Sequence, residues 1–213
     1  MLGANDGTVS VASVVVGVAA SGAPASAVLV AGVAATVAGA VSMAAGEYVS
    51  VRSQADLEAA DLEMERRELE RDPEGELAEL AGIYESRGLP TDLALRVAEA
   101  LHKHDALAAH AREELGISEQ LAARPFQAAI ASAAAFAVGA LPPLVAAIVS
   151  PRPLVGVLVT ATTLLVLTVL GGTAARLGGA SIPRGAIRVL LWGSGAMALT
   201  AAVGHLLGVS GLT

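Results

Sequence analysis

The chain has 213 residues, 54% of them hydrophobic, 15% charged and 2% aromatic, with no cysteine and a net charge of -7. A mean hydropathy of +0.66 is too high for a soluble globule. The acidic balance and the shortage of aromatics exclude a nucleic-acid platform, and the lack of cysteine excludes disulfides, thiolate metal sites and cysteine nucleophiles.

A hydrocarbon core of roughly 30 Å needs about 20 residues of apolar helix to cross it. Stretches of that length run from Leu2 to Ala20, Pro24 to Val49, Phe126 to Val149, Leu154 to Ala175 and Ala186 to Val209. The connectors SGAPAS, SPRP and RLGGASIPRG read as turns. The opening MLGANDG has no basic n-region or cleavage site, and a span already under way at Leu2 points to a short lead ahead of Met1. Residues 1–50 are therefore expected to hold transmembrane helices 1 and 2, residues 51–124 a polar insert, and residues 125–213 transmembrane helices 3 to 5.

The insert carries 18 of the 20 acidic residues. Its breakers divide it into three helices. The first, residues 50–71, continues the second span and ends at Asp72, Pro73 and Gly75; the second runs from about Glu74 to Arg87 and stops at Gly88 and Pro90. The third is expected from Asp92 to Leu115, capped by Thr91 and Asp92 and ended by Gly116. Nine basic residues lie in the insert, and Arg176, Arg184 and Arg188 flank the fourth connector, whereas SGAPAS and the tail SGLT have none and SPRP has only Arg152. By the positive-inside rule the insert and the fourth connector are cytoplasmic, and the first and third connectors and the C-terminus lie on the far side. Gly32, Ala35 and Gly39, and Gly171, Gly172 and Ala175, suit close helix packing or a homodimer.

Few residues can carry chemistry. Asp6 and Glu47 are the only carboxylates in the apolar stretches, and an ionisable group at membrane depth tends to face a polar pathway. Asp6 otherwise caps a helix, and Glu47 otherwise reaches the interface. Met43, four residues before Glu47, is a soft ligand for a borderline transition metal, or ordinary core packing. In the insert, Glu65 and Glu68, and Glu76 and Glu79, each sit at i, i+3, so each pair occupies one helical face, and the Pro73/Gly75 break lets the two faces turn toward each other. The third helix adds His110, Glu113 and Glu114. Carboxylates with an imidazole suit Fe(II) or Mn(II), with Zn(II) also compatible. The competing reading is a solvated face held by pairs such as Glu63 with Arg67. Glu99 and His102 form one Glu-x-x-His, a fragment of the di-iron carboxylate pattern, which needs two such motifs and two further glutamates, and no second copy exists. Lys103 and His104 read as exposed, and His205 as a packed or interfacial histidine. No GxSxG, P-loop or GxGxxG motif points to an enzyme.

The motifs GANDGTVS in the first span, AGAVSMAAGEYVSV in the second, SQADLE and ERRELE in the helix that follows, and HDALAAHAREELGI at the end of the insert occur in one order along nearly the whole chain. In these the chain resembles the vacuolar iron transporter family, which includes yeast-type vacuolar iron and manganese transporters and nodulin-like plant proteins. The resemblance implies an all-α, five-span homodimer with a three-helix cytoplasmic metal-binding domain between the second and third spans. It implies export of Fe(II), and of Mn(II) in many members, from the cytosol by proton antiport, with the ion as cargo and no prosthetic group. By resemblance Asp6 and Met43 match the ion pathway, Glu65, Glu68, Glu76 and Glu79 the glutamates of the cytoplasmic domain, and Glu114 the glutamate of its third helix. Two departures stand out. Where yeast and plant vacuolar members have adjacent methionines, this chain has His110 and Ala111; and where some members have a glutamate eight residues before the methionine, it has Ala35, leaving Glu47 as the nearby acid. The bacterial plasma membrane is the expected location. A membrane-anchored metal sensor or store without translocation, and a di-iron oxidase, are the alternatives.

Overall fold

The computed structural model describes residues 2–117 and 123–209, and every regular element among them is helical. The expected lead ahead of Met1 and the far-side tail at residues 210–213 lie outside the described residues. The helices are α1 (Leu2–Ala20), α2 (Ala25–Arg71), α3 (Pro73–Ser86), α4 (Thr91–Glu113), α5 (Pro125–Val149), α6 (Val155–Leu177) and α7 (Ile182–Val209), with a 3-10 turn at Arg152–Leu154. Five of them, α1, α2, α5, α6 and α7, are long and apolar enough to cross a membrane. The chain divides into two compact units, one of residues 1–48 and 126–213 and the other of residues 49–125.

In the first unit, α1 packs against α6 and α7, and α6 against α7. Lipid offers no hydrophobic drive to bring helices together, so small residues that let backbones approach carry the packing. A Cβ on Gly7 would overlap the carbonyl of Phe136, and one on Gly139 would overlap the carbonyl of Ala4, which fixes α1 against α5 backbone to backbone. The buried Thr8 hydroxyl lies 2.7 Å from the carbonyl of Gly139 and 2.8 Å from that of Ala4, joining the same two helices. Gly39 receives the Phe136 ring, Gly32 lies against Leu144 and Val15, and Gly171 against Gly185, so these glycines serve packing within the chain. The core comprises Val11, Val15, Val28, Phe136, Ala140, Val159 and Met197 among others. Pro142 and Pro143 lie inside α5 without ending it. The start of α7 at Ile182, four residues before the expected Ala186, follows from Pro183, whose missing N–H is harmless in a first turn.

In the second unit, α3 packs on α4 around Leu80, Ala81, Ala98 and Ala109, with Leu77, Tyr84 and Leu101 at the edge. The polar part of α2 is continuous with its apolar part through to Arg71. Asp72 then caps α3, accepting the Gly75 N–H at 3.0 Å, with Pro73 in the first turn. Two features of α4 differ from expectation. Its N-cap is Pro90, whose carbonyl accepts from Leu93 and Ala94, so neither Thr91 nor Asp92 caps it, and Asp92 instead pairs with Arg96. The helix is also broken at Asp105, which has extended backbone angles (φ -163°, ψ 97°), where the sequence suggests one uninterrupted rod. Its carboxylate accepts the Ala108 N–H at 3.0 Å, so Asp105 acts as an N-cap inside the element and starts the last two turns in a new direction.

Candidate metal centre

Three elements of the second unit converge on one imidazole. Glu65 projects from α2, Glu76 from the first turn of α3, and His110 from the segment of α4 beyond the Asp105 break. Their donor atoms all lie within 4.8 Å of one another. His110 Nδ1 is 2.9 Å from Glu65 Oε1, 3.1 Å from Glu114 Oε2 and 3.7 Å from Glu76 Oε2. Metal bonds of about 2.0–2.2 Å at tetrahedral or octahedral angles place neighbouring ligand atoms about 3.0–3.5 Å apart, so this spacing suits ligands of one ion. The imidazole side chain is 0% exposed and that of Glu65 3%, whereas Glu114 lies at the rim.

The protein's own groups leave this arrangement poorly satisfied. When Nδ1 carries a proton in the metal-free protein, its hydrogen-bond geometry serves Glu114, and a bound ion would take that proton's place. Glu65 Oε1, close as it is, is a buried oxygen with no hydrogen-bond partner. Burial, then the Glu114 carboxylate, push Glu65 above the ordinary carboxylate range, with His110 acting in the opposite sense. Burial and then Glu79 do the same to Glu76, and Glu68 adds to the repulsion on both. A divalent cation would neutralise the repulsion and accept a lone pair from the Glu65 oxygen that lacks a hydrogen bond, so the donor set fits a borderline divalent ion.

The remaining expected residues fall into distinct places. Glu68 and Glu79 are exposed and act on the cluster through charge. Glu113 turns away: Arg87 and Arg112 both donate to its carboxylate, and Arg87 also reaches its carbonyl. These hydrogen bonds hold Glu113 below the ordinary carboxylate range. In the first unit, Asp6 is exposed, accepts from the Ser10 hydroxyl at 3.0 Å, and lines a 360 Å³ cavity with Asn5, Val9, Arg188, Val189, Trp192 and Gly193. Met43 packs half-buried against the core, and Glu47 is exposed.

Two residues escape the reading by spacing. Asn5, beside Asp6, has a buried Oδ1 without a hydrogen-bond partner. His102, part of an incomplete Glu-x-x-His in the sequence, places its Nε2 3.2 Å from Nε2 of His110. Burial and then His110 hold its ring below the ordinary imidazole range.

Comparison with known proteins bears on this geometry. Residues 1–205 match the VIT family. The chain belongs to the VIT family. A protein named vacuolar iron transporter from Acanthamoeba castellanii is 48% identical over 207 residues, which is 97% of this chain and 76% of that protein. Vacuolar iron transporter homolog 1 from Oryza sativa subsp. japonica is 38% identical, covering 100% of this chain and 74% of the relative. Vacuolar iron transporter homolog 2.1 from Arabidopsis thaliana is 38% identical, covering 94% and 76%. These VIT family relatives are named as transporters, and the five apolar helices are those of an integral membrane protein.

Proposed function

We propose that this VIT family protein is a divalent-metal transporter that exports Fe(II), and also Mn(II), from the cytosol in exchange for protons, working as a homodimer. The observation that carries the reading is the Glu65–Glu76–His110 cluster, with Glu65 and His110 buried and one Glu65 oxygen lacking a hydrogen-bond partner, in a chain that also has five bilayer-length helices. The family supports metal transport, and the names of its relatives support iron.

In this mechanism residues 49–125 form the cytoplasmic domain and capture the ion. The exposed Glu68 and Glu79 draw cations in, and Glu65, Glu76, Glu114 and His110 Nδ1 bind them. Glu113 serves as the α3–α4 tie through Arg87 and is left out of the ligand set. The membrane pathway runs by Asp6, Met43 and Glu47. The unpartnered Asn5 Oδ1 beside Asp6 supports a cation route there, because an amide oxygen is a suitable transient ligand. Protons compete for the same carboxylates as the metal, which gives a pH gradient a means of driving release.

The test is Fe(II) flux into proteoliposomes under an imposed pH gradient. Flux that collapses in Asp6→Ala supports the reading. Stoichiometric Fe(II) binding without flux in the intact protein would replace it with a membrane-anchored sensor or store, and oxygen consumption with oxo-bridged Fe(III) absorption would replace it with a di-iron oxidase. We place the protein in a bacterial plasma membrane, and recovery in an internal membrane on fractionation would overturn that placement.

A further inference from the structure

We propose that His102 is a positioning residue for His110, accepting the Nε2 proton of that imidazole and so holding its Nδ1 free to bind metal. The inference rests on the reading of Glu65, Glu76, His110 and Glu114 as a metal site. It adds a residue that lies eight positions upstream of the ligand it serves.

The geometry of His110 separates the two ring nitrogens by role. Nδ1 faces three carboxylates at 2.9, 3.1 and 3.7 Å, whereas Nε2 faces His102 at 3.2 Å and no other hydrogen-bond partner among the described residues. A neutral imidazole bound to metal through one nitrogen keeps its proton on the other, and that N–H needs an acceptor when buried. His110 is fully buried, so the acceptor must come from the protein, and His102 Nε2 stands at hydrogen-bond distance. For His102 to accept there, its own proton sits on Nδ1. The rings are tilted by 51° with centroids 5.3 Å apart, which directs one nitrogen at the other rather than stacking the faces.

The contact exists because α4 is broken. In an uninterrupted helix eight residues advance about 12 Å along the axis, well beyond the reach of one histidine to another. The extended backbone at Asp105, with the Asp105 carboxylate capping the following turn at Ala108, redirects residues 106–113 and brings the two imidazoles together. Outer-shell partners of metal-bound histidines are usually carboxylates or carbonyls. A neutral imidazole here fixes the tautomer without adding a further negative charge beside Glu65, Glu76 and Glu114.

The experiment uses the full-length protein in detergent, labelled with ¹⁵N-histidine and titrated with Zn(II), a diamagnetic probe. Calorimetry gives affinity and stoichiometry, and ¹⁵N spectra report which ring nitrogen is protonated. In the Zn(II)-loaded wild type, His110 is expected to bind through Nδ1 and to carry its proton on Nε2. His102→Leu should weaken Zn(II) by about 10–100-fold and broaden or shift the His110 resonances, whereas His102→Gln, whose amide oxygen can accept the same proton, should return the affinity to within about threefold of wild type. The wild-type spectrum decides even if the leucine variant does not fold: His110 unprotonated at Nε2 overturns the proposal. Unchanged affinity and spectra in His102→Leu overturn it too, as does a second Zn(II) ion lost with His102, which would mark an ion between the two imidazoles. Glu65→Gln separates the levels. If it abolishes tight binding while His102→Leu does nothing, only the role of His102 fails; if it leaves binding intact, the metal-site reading fails and takes this proposal with it.

Discussion

Replacing Glu65 with glutamine gives opposite signs for the two roles its carboxylate can have. As a metal ligand it is a liability once metal is removed: the donor atoms of Glu65 and Glu76 lie within 4.8 Å, where two unit charges repel by about 3.5 kcal/mol at an effective dielectric of about 20. Proton uptake and the nearby imidazole offset much of that, so removing the charge should stabilise the metal-free protein by about 1–2 kcal/mol. For a chain of this size the melting temperature should rise by about 2–8 °C. The same substitution removes a direct ligand and should weaken Fe(II) or Zn(II) by more than the about 10–100-fold typical of outer-shell changes. If instead Glu65 is the structural partner of a protonated His110, at 2.9 Å, its loss breaks a buried ion pair and should cost about 3–5 kcal/mol. Thermal melting of the full-length protein with chelator and with Zn(II) reads both. A metal-free Glu65→Gln that melts lower than wild type, with unchanged affinity, refutes the ligand assignment.

Glu65 and Glu76 hold their protons to higher pH in the fold than in an unfolded chain, so in the window above the ordinary carboxylate pKa the folded state binds more protons. Metal-free stability should therefore fall as pH rises through that window, while metal affinity, which requires deprotonation, should rise; melting and titration across pH check both signs. Glu113→Gln should leave Zn(II) affinity within about threefold of wild type and lower stability by about 1 kcal/mol, because it loosens partly exposed ties to Arg87 and Arg112. The depressed Glu113 pKa gives that tie the opposite pH dependence: its contribution is present above the ordinary carboxylate range and is lost as pH falls through the lowered value. Gly139→Ala forces a Cβ into the Ala4 carbonyl and should destabilise by about 1–3 kcal/mol. Gly46→Ala meets no heavy atom within 4 Å and should be neutral or stabilising by up to about 1 kcal/mol, as melting in detergent would show.

The spans were legible because an apolar run of bilayer length has few competing readings, and Pro73 and Gly88 marked the ends of α2 and α3 through ordinary turn chemistry. The facing of Glu65 and Glu76 was legible for the same reason, since one break between two helices leaves few ways to arrange their polar faces. Glu113 and Glu114 were not separable by spacing. They lie three and four residues after His110, both near its face, and the distinction comes from Arg87 at the end of α3, a contact between elements. The break at Asp105 has neither glycine nor proline to announce it, and its only local signal is an acid able to cap the turn that follows. In the sequence His102 consequently reads as part of an incomplete motif, whereas its partner lies beyond a bend that helical periodicity does not draw.

The most direct measurement is the initial rate of Fe(II) entry into proteoliposomes as a function of external Fe(II), with wild-type protein and His110→Ala under the same imposed pH gradient. Wild-type flux that saturates, with KM raised about tenfold or more in His110→Ala and the maximal rate nearly kept, is the result expected of a capture site that loads the pathway. No wild-type flux, or a His110→Ala variant with an unchanged KM, would contradict it.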